Sequence, residues 1–85
     1  MYDNFINKQP EIRHVTRKEI KKKIGERIVE IRESKGWTQS ELARLCDKDR
    51  QAIEKIESGK VNPSLFTLWE LADGLKIPLR EFLDF

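Results

Sequence analysis

Arg50, Gln51, Ala52 and Lys55 bring a guanidinium, a carboxamide, a methyl and an ammonium into one short stretch of this sequence. Ile53 and Ile56 share one face of the same short stretch at helical spacing, which turns the other four outward. A guanidinium donates a two-pronged pair of hydrogen bonds, a carboxamide donates and accepts side by side, and an alanine offers only a methyl. The edges of nucleic-acid bases take these contacts: guanine O6 and N7 from arginine, adenine N6 and N7 from glutamine, the thymine methyl against alanine. Each good bidentate pair discriminates by about 1–3 kcal/mol. The bland alternative is an ordinary solvated helix face.

Other chemistries lack their residues. His14 is the one histidine, and no Cys/His cluster has metal-ligand spacing. There is no glycine-rich phosphate loop and no nucleophile elbow, so neither catalysis nor a cofactor is expected. Cys46 is the single cysteine, which excludes an intrachain disulfide; its place on an apolar helix face suits a buried, reduced thiol. At 85 residues there is room for one small domain and none for a ligand-sensing second one. The residues are 38% hydrophobic and 38% charged, with net charge +2, as in a soluble helical protein with a modest core. No apolar run marks a signal peptide or approaches a membrane span, so the expectation is a cytoplasmic, nucleoid-associated protein without membrane contact. Charge is uneven: residues 1–35 hold ten Lys and Arg against six Asp and Glu, while residues 63–85 hold two against four. Within the basic part, Arg17-Lys18-Glu19-Ile20-Lys21-Lys22-Lys23 can lie along a phosphate backbone or form a solvated helix face.

The elements that must position Arg50 and its neighbours lie between Thr38 and Gly59, TQSELARLCDKDRQAIEKIESG. Leu42, Leu45 and Cys46 form the apolar face of a first helix, about 39–46, and Ile53 and Ile56 that of a second, about 50–58. Thr38 with Glu41 makes a capping box, Asp49 caps the second helix, and Gly59 ends it in the left-handed conformation. The few polar residues between the helices fit a steep helix-turn-helix crossing. Before them, Thr16 and Glu19 form another capping box and Ile20, Ile24, Ile28 and Ile31 a stripe, predicting a long helix over 17–35 stopped by Gly36. After them, Ser64 caps a fourth helix with Leu65, Leu68, Leu71, Ala72 and Leu75 as its stripe, and Pro78 opens a short fifth one near 79–83. Residues 1–15 read as an arm, with a short strand over 11–15 that can pair with its copy in a second subunit, and 16–85 as the helical domain.

KGWTQSELA, IEKIESGK, NPSLFTLWELADGLKI and PLREFL, in this order between about Ile24 and Phe82, resemble the Cro and phage-repressor (XRE) family of bacterial helix-turn-helix regulators. The resemblance implies an all-α, five-helix, lambda-repressor-like fold and binding of double-stranded DNA as a homodimer, most often as a transcriptional repressor. It implies that Arg50, Gln51, Ala52 and Lys55 read bases in the major groove. Gln39 matches a position that touches phosphate, with Ser40, Lys60, Asn62 and Ser64 as weaker candidates, and Arg32 and Glu57 correspond to a buried ion pair. Two positions depart from the pattern: the turn carries Asp47 and Lys48 where glycine and an apolar residue are usual. Asp tolerates the left-handed conformation. Lys48 fits only if its stem lies across the core and its ammonium emerges. Phe82, Phe85, Trp69 and the Tyr2–Phe5 arm are the apolar groups expected at a dimer interface. The competing reading is an antitoxin or adaptor that uses the same fold to bind a partner protein, a toxin or co-regulator.

Overall fold

The computed structural model describes residues 15–85. The expected arm and its strand lie outside the described residues except for Val15. Four α-helices and a final 3-10 turn follow: α1 (Arg17–Ser34), α2 (Gln39–Leu45), α3 (Arg50–Glu57), α4 (Leu65–Leu75) and the 3-10 segment Leu79–Leu83. There is no strand among the described residues.

Each α-helix starts on a side-chain cap. The Thr16 and Thr38 hydroxyls accept from the N–H groups of Glu19 and Glu41, both at 3.1 Å, and each glutamate accepts in return from its threonine's N–H. Asp49 and Ser64 accept from the N–H groups of Ala52 and Thr67. The helix ends are equally uniform. Trp37, Lys48, Lys60 and Ile77 donate their N–H groups back to the carbonyls of Arg32, Ala43, Lys55 and Ala72, each bond spanning a left-handed residue. Those residues are Gly36, Asp47, Gly59 and Lys76, with φ of 75°, 56°, 76° and 59°. Asp47 thus occupies the position where the family carries glycine, and the α2–α3 turn keeps its path.

α2 packs on α3 and α4, α1 packs on α3, and the 3-10 segment lies against both α1 and α4. Ile28, Leu42, Ile53, Leu71, Leu75 and Phe82 are fully buried between them. Burying side chains of this size contributes about 1.5–3 kcal/mol each.

The fifth helix, Phe82 and three stripe residues need correction, whereas Lys48 and Cys46 lie as expected. The fifth element is a single 3-10 turn, because five residues after Pro78 close through the bond from Glu81 N–H to the Pro78 carbonyl, an i to i+3 spacing. That turn aims Phe82 into the core, so Phe82 is not available to a dimer interface. Leu45 and Leu65 lie at helix ends beyond the packed surface and stay exposed, at 55% and 71%, and Ile20 sits at the margin of its stripe. The Lys48 stem is largely covered, and its ammonium reaches Glu70 at 2.9 Å, tying the α2–α3 turn to α4. Burial pushes the Cys46 thiol up from its ordinary value, and the thiol donates to the Glu70 carbonyl, as suits an unreactive core cysteine.

Candidate nucleic-acid interface

α3 is held by its buried Ile53 and Ile56 and, at its end, by a buried charge pair. Arg32 Nε is 2.7 Å from Glu57 Oε2, Arg32 Nη2 donates to Glu57 Oε1 at 3.1 Å, and both residues are buried. The third guanidinium direction is also satisfied, since Nη1 donates to the Trp37 carbonyl at 2.6 Å. Hydrogen bonding to Glu57 raises the Arg32 pKa above its ordinary value, outweighing the burial that would lower it. A buried pair this well bonded locks the end of α3 onto α1 and the start of α2.

The pair continues outward. Gln39, first residue of α2, donates from Nε2 to Glu57 Oε1 at 2.9 Å and accepts on Oε1 from Arg50 Nη1 at 3.2 Å. A relay therefore runs Arg32, Glu57, Gln39, Arg50, from the core to the exposed first turn of α3. Both ends of the Gln39 carboxamide are engaged inside the protein, a role that sequence reasoning did not foresee. No sequence signal marks it, because its two partners, Arg50 and Glu57, lie 11 and 18 residues from Gln39.

Arg50, Gln51 and Lys55 are exposed and Ala52 is half-buried, while Ile53 and Ile56 of the same helix are buried. Gln51, Ala52 and Lys55 line an open groove of about 470 Å³ whose far wall is Val61, Asn62, Ser64 and Thr67. The structure thus gathers Asn62 and Ser64 beside the predicted base-reading residues. The Ser64 hydroxyl is already committed to Thr67 as the α4 cap. Lys60 is mostly exposed with its ammonium 3.5 Å from Glu54, and Ser40 is exposed on α2. A pair of close approaches also escaped the sequence reading. A side chain at Gly25 would meet the Glu57 carbonyl at 2.4 Å, and one at Gly74 would meet Cys46 Sγ at 2.6 Å. A glycine inside a helix was the available signal at both positions.

Among the described residues no cluster of His, Cys, Asp or Glu could hold a metal, and no helix is long and apolar enough to cross a membrane.

Comparison with known proteins places this geometry in a family. The helix-turn-helix family model HTH_3 matches residues 28–82. The HTH-type transcriptional regulator SutR of Escherichia coli is 30% identical over 67% of this chain and 32% of its own length. The uncharacterized HTH-type transcriptional regulator y4dJ of Sinorhizobium fredii is 32% identical over 69% of this chain and 77% of its own. The crystal structure of the restriction-modification controller protein C.AhdI from Aeromonas hydrophila superposes with a TM-score of 0.70 at 39% identity, covering 72% of this chain and 92% of that one. The chain belongs to the helix-turn-helix family of Cro/XRE-type, DNA-binding transcriptional regulators. It spans about a third of SutR and about three quarters of y4dJ.

Proposed function

We propose that this chain binds double-stranded DNA sequence-specifically as a homodimer and represses transcription by occupying an operator, with the first turn of α3 in the major groove. The observation that carries the reading is the relay ending on Arg50. An exposed arginine at the mouth of a helix would ordinarily sample many rotamers, and Gln39 limits that freedom before any ligand arrives. A pre-positioned guanidinium loses less entropy on binding and rejects a wrong base more sharply. Gln51, Ala52 and Lys55 follow on the same surface, and Lys60 and Asn62 flank it where phosphates would run. Ser40 supplies a further polar group at that boundary, and Gln39 and Ser64 reach it only with what their bonds to Glu57, Arg50 and Thr67 leave over.

The dimer reading draws on α4. Leu65, Phe66 and Trp69 are 71%, 66% and 51% exposed, and the two rings stack with centroids 6.0 Å apart. A contiguous apolar patch of this kind marks an interaction surface. Its counterpart in a second copy is the same patch, as two-fold symmetry requires. An adaptor that used this face for a different protein would leave the ordered Arg50 without a purpose.

The test replaces Arg50 and Gln51 by alanine in the full chain and compares binding to a duplex selected by the parent with binding to a scrambled duplex. Loss of two bidentate pairs should cost about 2–6 kcal/mol per half-site on the selected duplex, with little change on the scrambled one. Undiminished affinity for the selected duplex, with an unchanged thermal melt, would contradict base reading by these residues.

A further inference from the structure

The first two turns of α1 lie before the family-matched span, which begins at residue 28. They hold Arg17, Lys18, Lys21, Lys22 and Lys23 with a single acid, Glu19, which is engaged with Thr16 in the cap. Lys18, Lys21 and Lys22 precede Gly25 by seven, four and three residues, the spacing of one helix face. At Gly25 that face meets the carbonyls of Ile56 and Glu57, the last turn of α3. α3 ends there, and Gly59 comes so close that a side chain on it would meet the Lys22 Cα at 3.1 Å. Helix rise carries Lys18 about 10 Å beyond Gly25, past the end of α3. The three lysines therefore stand at and beyond the last turn of α3, on the face of α1 that meets it. Among the described residues, no carboxylate lies within ion-pair distance of Arg17, Lys18, Lys21 or Lys22. Like charges three and four residues apart repel, so this face works against its own helix unless negative charge, an anion or the carbonyl end of α3, offsets it.

We propose that Lys18, Lys21 and Lys22 form a phosphate clamp at the exit end of the recognition helix, gripping the backbone of the same duplex whose bases α3 reads. The major groove is about 12 Å wide, about the length of an eight-residue helix, so a helix that reads bases with its first turn brings its last turn to a wall of phosphates. The clamp adds affinity without adding sequence preference, because phosphates carry no base identity.

This rests on the DNA-binding reading, and the experiment separates the two. The full chain and its Lys18→Gln, Lys21→Gln, Lys22→Gln variant are titrated against a labelled duplex selected by the parent and against its scrambled version, between about 50 and 200 mM salt. Three lost contacts should lower the slope of log K against log salt by about 2.7 per protomer, so that over this range the parent loses about 40-fold more affinity than the variant. The variant should keep the ratio between the two duplexes and melt no lower than the parent. An unchanged slope in a variant that binds overturns the clamp and leaves base reading in place. A lower melt with an unchanged slope also overturns it, assigning the lysines to the carbonyl end of α3 instead. Failure of the parent to bind either duplex overturns the DNA-binding reading and the clamp with it.

Discussion

Replacing Gly25 by alanine should destabilise this protein, although alanine is the better helix former. In an exposed helix interior the exchange gains about 1 kcal/mol. Here the added methyl would stand 2.4 Å from the Glu57 carbonyl oxygen and 2.7 Å from that of Ile56, where ordinary contact begins at 3.4 Å. Both obstacles are backbone atoms at the end of α3, where Ser58, Gly59 and Lys60 donate back to Glu54, Ile56 and Lys55, so no rotamer change relieves them. α1 must instead retreat from α3 by about 1 Å, which stretches the Arg32–Glu57 bonds at the same crossing. Forcing a methyl into a tight contact costs about 1–3 kcal/mol, and an immobile backbone puts this site at the upper end. Net of the helix gain, the loss is about 2 kcal/mol, or roughly 8–16 °C in Tm for a domain of this size. Thermal and urea unfolding of the variant measure it directly. Gly36, where a side chain would meet nothing within 4 Å, is the control: its alanine variant should lose only what a positive φ costs. A Gly25→Ala protein as stable as the parent would refute the packing argument.

Glu57→Ala should cost about 3–5 kcal/mol, because it strands the Arg32 guanidinium in the core, and a thermal melt equal to that of the parent would contradict this. Acid should weaken the fold through its caps. Hydrogen bonds from Thr38 and Thr16 hold Glu41 and Glu19 below the ordinary carboxylate value of 4.5, so their contribution is complete above that pH and is lost as pH falls through the lower folded values. Glu41→Gln and Glu19→Gln together should accordingly flatten the decline of Tm below about pH 4.5. Phe66→Glu with Trp69→Glu should shift the protein from dimer to monomer in sedimentation while the far-UV spectrum stays helical; a retained dimer would move the interface off α4.

Local chemistry was the part of the fold most open to reading from the sequence. Thr16, Thr38, Asp49 and Ser64 announce the helix starts because a cap is a contact between residues three apart, and Gly36 and Gly59 announce two of the ends for a similar reason. Lys76 ends α4 in the same left-handed geometry without a residue type to signal it. Phe82 and Leu45 were misplaced because periodicity gives a face but not what that face meets: the 3-10 turn swings Phe82 inward, and α2 stops before Leu45 finds a neighbour. The site was legible in its outline, since Ile53 and Ile56 orient Arg50 and Gln51. The relay through Gln39 and the approach of α1 to Gly59 depend on helices far apart in sequence, and no spacing rule contains them.

The central claim, that the first turn of α3 reads DNA, is tested most directly by selection of the purified full chain against a random duplex library at near-physiological salt, followed by sequencing of the retained DNA. The expected result is a two-fold-symmetric motif whose half-site centres lie about 10 base pairs, or a multiple, apart. Retention that depends on salt but enriches no motif would contradict it.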